Sequence, residues 1–283
     1  MTIDLHTHSA VSDGTDSPAE LLAAAERAGL SVIALCDHDT FDGLAAARAA
    51  ARDSSVRLLP GIEISARLRG DSVHLLGYGC RTDDEALARE LVRVREGRRG
   101  RVPAMLAALA RLGMPLEPSE VARFAGGSPS VGRPHIADAM VARGYVADRD
   151  EAFTRYLADD GPAYVSRYAT ELATGIDLVH AAGGVAVIAH PWGRGGAAQV
   201  TEVLLDSLVT RHGLDGIEVD HNDHSPADRR ALRQIADRLG MLATGSSDYH
   251  GLGKHNHPLG CNTTASGVLS EIERRIDTSG GAR

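Results

Sequence analysis

The sequence predicts an α/β fold with parallel strands, and three observations carry that prediction. Short apolar runs alternate with helix-period segments; the runs end in histidine or carboxylate; and Gly or Pro punctuation separates strand from helix. Parallel strands that feed helices place all their C-terminal ends on one face, where barrel-type α/β enzymes build their sites. Groups remote in sequence then converge in space.

The opening run Thr2 to Leu5 reads as a short strand. Side chains along a strand alternate faces, so His6 and His8 project from one side, with Asp13-Gly14 on the loop that follows. Two imidazoles followed by a carboxylate are a recurrent start of a metal site. Ser17-Pro18-Ala19-Glu20 is a capping box with Pro at the first helical position, and Gly29 ends that helix. Val32 to Cys36 has the continuous apolar pattern of a strand buried on both faces, and it ends in Asp37-His38-Asp39. An Ala-rich helix from Phe41 to Arg52 leads to a strand from Arg57 to Glu63. A strand pair follows, Ile64 to Leu68 and Val73 to Tyr78, with His74 inside its second member.

From Asp84 the texture turns helical: an Arg-rich stretch through Arg101, then Met105 to Leu112, Ser119 to Phe124, Arg133 to Arg143 and Asp148 to Leu157. We read about 96–170 as a helical insertion, with 1–95 and 171–283 forming the catalytic unit. Alternation then resumes. A helix through Leu178 and His180 precedes the strand Val185 to Ile188, which ends in Ala189-His190-Pro191. Next come a helix Ala197 to Arg211, a strand Gly216 to Val219, a helix Pro226 to Leu239 and a strand Leu242 to Thr244. The last strand ends in Ser246-Ser247-Asp248-Tyr249-His250, and the small-residue tail from Thr278 is expected to fray.

Composition bounds the function. At 283 residues, 43% hydrophobic and 24% charged, the chain is in the range of an ordinary globular enzyme. No apolar run approaches the ~18 residues of a membrane span, and the N-terminal residues lack signal-peptide character, so a cytoplasmic protein without membrane partners is expected. Cys36, Cys80 and Cys261 are widely spaced and read as buried thiols. The net charge of −8 argues against duplex nucleic acid as a partner, but not against an anionic substrate, because bound divalent ions make a site locally positive.

The ordered motifs DLHTHSAVSDGT, ALCDHDT, PGIE, VHLLGY, AHP and SSDYHG resemble the polymerase and histidinol phosphatase (PHP) family of metal-dependent phosphoesterases. Gly132-Arg133-Pro134-His135 and the insertion resemble its small members that act on nucleoside bisphosphates and short oligonucleotides. The resemblance implies a distorted (βα)7 barrel with a helical insertion. It implies two or three divalent ions, manganese, zinc or iron: one held by His6, His8, Glu63 and Asp248, a second by Asp13, His38 and His250, and a third by Glu63, His74 and His190. Asp13, His38, Asp248 and His250 would then be catalytic as well as ligating. Some members carry His where this chain has Asp13, and a carboxylate there makes manganese or iron as suitable as zinc.

The activity implied is hydrolysis of phosphate monoesters of small nucleotides by a hydroxide bridging two ions. A histidinol-phosphate-type phosphatase, amide hydrolysis or deamination, and a non-catalytic metal-binding domain are the rival readings. Asp4, Asp37 and Asp39 are expected to orient imidazoles through their free ring nitrogens. Arg133 and His135 at a helix start, and Arg194 in a Gly-rich loop, are the substrate-phosphate candidates. His221 and His224 read equally as pocket lining or solvated loop; His255 and His257 read as solvated, His180 and His212 as helix histidines without chemistry, and Arg93 to Arg101 as a solvated helix face.

Overall fold

In the computed structural model the described residues are 1–159, 161–193 and 199–282. One eight-stranded sheet runs β1 (Ile3–Thr7), β2 (Val32–Leu35), β3 (Arg57–Leu68), β4 (Asp71–Tyr78), β6 (Val185–Ile188), β7 (Gly216–Asp220), β8 (Leu242–Gly245), with the short β5 (Thr170–Glu171) beside β3. A bridge from Thr7 to Tyr249 and the bond from His8 N–H to the Tyr249 carbonyl (2.8 Å) bring the chain after β8 back to β1, so the sheet is nearly closed into a barrel. The helices α1 (Pro18–Arg27), α2 (Leu44–Ala51), α7 (Leu172–Ala181), α8 (Glu202–His212), α9 (Pro226–Leu239) and α10 (Ser266–Ser279) belong to this unit.

The barrel departs from an all-parallel βα repeat in one place. The sequence suggests a strand to Glu63 and a separate one from Ile64. The structure joins them into a single 12-residue β3, which pairs antiparallel with β4 from Gly61↔Tyr78 to Leu68↔Asp71. β4 also runs antiparallel to β6. The turn at Arg69-Gly70, both at positive φ, permits this tight hairpin. The consequence is that Glu63 sits in mid-strand, level with the end of β2 through its bridge to His38.

Helix signals performed well where caps were present. Ser17 closes its capping box with Glu20, and Ser225 closes one with Asp228, so α1 and α9 begin at the Pro residues that follow. α10 was not anticipated, because it has no side-chain N-cap bond; its Leu269, Ile272 and Ile276 pack beneath β1, β2 and β6.

Four helices intervene between β4 and β5: α3 (Glu85–Arg111), α4 (Pro118–Ala125), α5 (Arg133–Ala142) and α6 (Arg149–Ala152), the last continued by a π-helical turn at Phe153–Leu157. α3 is one helix of 27 residues that contains Pro103, where two segments were expected. Its C-terminal part and α4 to α6 share a core of their own, with Met105, Leu109, Val121, Ile136, Met140 and Leu157 all buried. The expected solvated face fails at Arg98 and Arg101, which are 5% and 6% exposed. Cys36 and Cys80 are buried as expected, whereas Cys261 is exposed. Among the described residues no helix is long and apolar enough to cross a membrane.

Candidate metal centre

His6 lies within β1 and His8 just beyond it, both fully buried, with their Nε2 atoms 3.0 Å apart. Both point at Glu63 Oε2 (3.2 and 3.1 Å) and at Asp248 Oδ1 (3.5 and 3.4 Å). On the other side of His8, Asp13 faces His38 Nε2 at 3.5 Å and His250 Nε2 at 3.3 Å. Glu63 reaches further: His38 Nδ1 is 3.1 Å from Oε2, and His74 Nδ1 and His190 Nε2 are 2.7 and 3.3 Å from Oε1. One carboxylate at the barrel mouth therefore has His6, His8, His38, His74 and His190 around it. All nine ligand candidates read from the sequence are brought together here: His6, His8, Asp13, His38, Glu63, His74, His190, Asp248 and His250.

The donor atoms fit a cation better than they fit one another. His8 Nδ1, His38 Nδ1, His74 Nδ1 and Asp248 Oδ1 are buried without a hydrogen bond, although carboxylates lie nearby. Buried polar atoms ordinarily find partners, so a group of orphans aimed at common points is what ligands around positive ions look like. Their atoms fall into sets that could each hold an ion: His6, His8, Glu63 and Asp248; His8, Asp13, His38 and His250; and His38, Glu63 and His74. Burial opposes the charge on Glu63, but His38, His74 and His6 hold its carboxyl well below the usual range. Burial likewise opposes protonation of His8, yet its bonds to Asp248 and Glu63 raise it to about 9. His38, His190 and His250 are instead held below their ordinary values by burial.

Residues behind these groups set their orientation. Glu218, fully buried in β7, faces His6 Nδ1 at 3.3 Å through Oε1, which also accepts from the Ser246 hydroxyl; its Oε2 accepts the His190 N–H at 2.8 Å. An Nδ1–H bonded to Glu218 leaves the His6 Nε2 lone pair facing the cluster, the tautomer a ligand needs. His221 accepts the Asp223 N–H on Nδ1 (3.0 Å), so its Nε2–H donates to Asp248 Oδ2 at 3.3 Å. Lys254 also donates to that oxygen, which leaves Oδ1 for the cluster. His250 donates from Nδ1 to the Asp248 carbonyl (2.9 Å), which turns Nε2 toward Asp13. Asp39, His190 and Asp248 all hold positive φ values (57°, 26° and 52°), strain of ~1–3 kcal/mol apiece that such over-determined sites sustain.

Several expectations are corrected. Asp4, Asp37 and Asp39 do not orient imidazoles: Asp4 accepts from Ser247 and Gly260 N–H, Asp37 from Ser9 and Ser12, and Asp39 from Ser65 and Arg98. They tie the loops and β3 around the centre through backbone N–H, hydroxyl and guanidinium donors. His221 and His224, which the sequence leaves open between pocket lining and solvated loop, are buried. His257 is 6% exposed and donates to the Ser247 carbonyl at 2.6 Å, while His255 is exposed. His180 carries a structural bond to Asp215 at 2.8 Å.

The helical segment also touches the centre. Ser128 donates to the carbonyls of Val11 and Ser12, and Arg149, paired with Asp138, donates to that of Asp13 at 3.0 Å. His135 is 3% exposed, takes the Gly132 N–H on Nδ1 (3.1 Å) and is held below its ordinary pKa by burial despite the pull of Asp13. Arg133 instead turns to Asp159 and the Leu157 carbonyl. Arg194 lies outside the described residues.

Comparison with known proteins agrees with this geometry. The PHP domain model matches residues 4–115. A 3′,5′-nucleoside bisphosphate phosphatase of Chromobacterium violaceum is 34% identical over 97% of this chain and 96% of its own length. A 5′-3′ exoribonuclease of Haemophilus influenzae is 32% identical over 87% of this chain and 89% of its own length. The crystal structure of a protein from Bifidobacterium adolescentis described as a metal-dependent phosphoesterase superposes with a TM-score of 0.92, at 34% identity over 96% of both chains. With an end-to-end likeness of this kind over a barrel mouth lined by imidazoles and carboxylates, the chain belongs to the PHP family of metal-dependent phosphoesterases.

Proposed function

We propose that this enzyme hydrolyses phosphate monoesters of small nucleotides, nucleoside 3′,5′-bisphosphates or short 5′-phosphorylated oligonucleotides, using two or three divalent ions at the barrel mouth. The observation that carries the reading is Glu63, whose two oxygens face separate sets of imidazoles. A carboxylate so placed serves neighbouring cations together and offsets their mutual repulsion. His6, His8, Glu63 and Asp248 would hold one ion; Asp13, His38 and His250 a second; and Glu63 with His74 and His190 a third. The hard carboxylate of Asp13 suits manganese or iron as well as zinc.

Ions of this class activate water near neutral pH, polarise phosphoryl oxygens and stabilise charge that develops during in-line displacement. The chain's own groups do the positioning. Glu218 fixes the His6 ring, His221 and Lys254 hold one oxygen of Asp248, and Arg149 and Ser128 fix the loop that carries Asp13. We assign 96–170 as an insertion that covers the site, with His135 set against the Asp13 loop to meet substrate. The curated relatives are named for nucleotide and RNA phosphate esters, which supports the substrate class. An amidohydrolase acting on a neutral amide would have no use for the arginines gathered beside the centre, and a non-catalytic domain would have no need of so complete a ligand set.

The test is turnover by metal-analysed enzyme on adenosine 3′,5′-bisphosphate, a 5′-phosphorylated trinucleotide, AMP, histidinol phosphate and an amide substrate. The nucleotide substrates should exceed histidinol phosphate by about 10-fold or more in kcat/KM, the scale of one charge-assisted hydrogen bond. Preference for histidinol phosphate or the amide contradicts the reading.

A further inference from the structure

Asp13 and His250 belong to one candidate ion set but stand on different loops, one after β1 and one after β8. Their facing atoms, Asp13 Oδ1 and His250 Nε2, are 3.3 Å apart. A site assembled from two loops is only as well formed as the spacing between them, because a ligand displaced by more than about 0.2 Å leaves the bonding range. Arg149 spans that gap. Its Nη1 donates to the Asp13 carbonyl at 3.0 Å and to the Gly253 carbonyl at 3.3 Å, one N–H to each. Gly253 ends the short 3₁₀ turn that begins directly after His250, and its N–H returns to the His250 carbonyl at 3.1 Å. We propose that Arg149, held by Asp138, is a positioning residue that sets the distance between Asp13 and His250 and thereby the affinity of the ion site they share. This rests on the metal-dependent reading above and adds a control of one ion by the helical segment.

The guanidinium is firmly fixed. Its Nε and Nη2 donate to the two oxygens of Asp138, both at 2.6 Å, a bidentate pair that sets the plane of the fork. Burial opposes the charge on Arg149, and Asp138 more than restores it. Arg149 is the first residue of α6, whose N-cap Asp148 accepts the Glu151 N–H at 2.8 Å. Ala152 and Leu157, further along, are fully buried in the core of the helical segment, and so are Ala137 and Ala139 on either side of Asp138. The clamp is therefore anchored in the helical segment, whereas the loops it grips belong to the barrel. Gly253 is a second, independent sign of the same contact. A Cβ at that position would overlap Arg149 Nη1 and lie 2.9 Å from its Cζ, so the guanidinium occupies the space a side chain would need.

The effect should be confined to one ion. Thr15 N–H bonds the His250 carbonyl at 3.2 Å and Leu252 N–H bonds the Thr15 hydroxyl at 2.8 Å, so the loops also meet beyond the ligands. Among the described residues, however, the Asp13 and Gly253 carbonyls have no donor other than Arg149. Asp248, two residues before His250, is held separately by His221 at 3.3 Å and by Lys254, while His6 and Glu63 lie within β1 and β3. The set of His6, His8, Glu63 and Asp248 is thus braced without the clamp.

The test titrates metal-stripped full chain with manganese and measures bound metal per chain by equilibrium dialysis and elemental analysis. Wild type is compared with Arg149→Met, Gly253→Ala, Asp13→Ala and the double variant Asp13→Ala/Arg149→Met. Groups behind metal ligands typically contribute 10–100-fold in affinity, so Arg149→Met should weaken one ion by about that factor and leave the rest of the isotherm at wild type. Asp13→Ala should remove the same ion, so adding Arg149→Met to it should change nothing further. Gly253→Ala keeps every charged group and displaces the guanidinium by a methyl; it should weaken the same ion, and it decides the matter if Arg149→Met loses wild-type circular dichroism. An unchanged isotherm, weakening of every ion alike, or an Arg149 effect that persists in the Asp13→Ala background overturns the proposal. Turnover should return at saturating manganese, whereas a lowered kcat with wild-type metal binding would make Arg149 a substrate contact and overturn it too. Because the isotherm needs no turnover, failure of the phosphoesterase reading shows separately, as a wild type that binds its ions and hydrolyses no phosphate ester.

Discussion

The metal centre and the cleft lined by Arg67, Arg101, Arg133 and Arg167 are neighbours of opposite charge. In the centre, Asp13, Glu63 and Asp248 face imidazoles across 2.7–3.8 Å, and the orphaned nitrogen and oxygen atoms suit a cation. In the cleft, guanidinium groups crowd with Asp159 already engaged, and the orphaned atom is the Nε–H of Arg101, which would donate to an anion. Each region is incomplete in the sense its ligand would complete. The comparison teaches that the two clusters are built separately: strand ends gather the imidazoles and carboxylates, and α3, α5 and the loop at Arg167 gather most of the guanidinium groups.

The largest effect that separates the two regions is expected at Glu63. Glu63→Gln preserves shape but removes the charge shared by the surrounding imidazoles, so turnover should fall by at least about three orders of magnitude on every phosphate ester alike, the loss expected when one half of a two-metal site fails. Equal loss across substrates marks the centre. Stopped-assay rates with metal content measured beside them check this, and retention of wild-type rates would remove Glu63 from the centre.

A smaller effect is expected at Glu218, which stands behind the ligands, on the far nitrogen of His6, the backbone of His190 and the Ser246 hydroxyl. Groups behind metal-bound histidines typically contribute 10–100-fold in affinity, so Glu218→Gln should need about 10–100 times more free metal for half-maximal activity. Activity at saturating metal should largely return. A variant that metal fails to rescue would place Glu218 among the groups that act on substrate.

The two regions also differ in how far the sequence reveals them. Most of the centre is legible because His6, His8, His38, Glu63, His190, Asp248 and His250 follow or end apolar strands, which places them on one face, whereas Asp13 lies on a loop and His74 inside a strand. Glu218 was missed although a signal existed: Gly216-Ile217-Glu218 repeats the tripeptide of Gly61-Ile62-Glu63, and a carboxylate in an otherwise apolar strand seldom lacks a purpose. The sequence leaves His221 open and reads His257 as solvated because a histidine in a polar, Gly-rich loop gives no local sign of burial; packing against Asp248 and Asp223 decides it. The antiparallel β4 was half legible. Its turn was visible, but the merging of two apolar runs across Glu63 was not, since nothing local separates a strand end from mid-strand.

The cleft was illegible for a deeper reason. Arg101 lies three residues from Arg98 within a charge-dense helix that reads as solvated, and Arg167 comes from a loop more than one helix away. Only tertiary docking of α3 against the β3–β4 hairpin buries them, and no periodicity encodes that docking. Arg133, chosen from sequence for its place at a helix start, does line the cleft, but bound to Asp159.

The central claim is that the barrel mouth works through more than one divalent ion held in common by Glu63. The direct measurement is a titration of metal-stripped enzyme with manganese, following bound metal per chain and turnover of adenosine 3′,5′-bisphosphate in the same samples. The account predicts little turnover as the first equivalent binds and a steep rise as the second does, since the hydrolytic step requires both. Full activity at one equivalent, or activity that persists in the stripped enzyme, would contradict it.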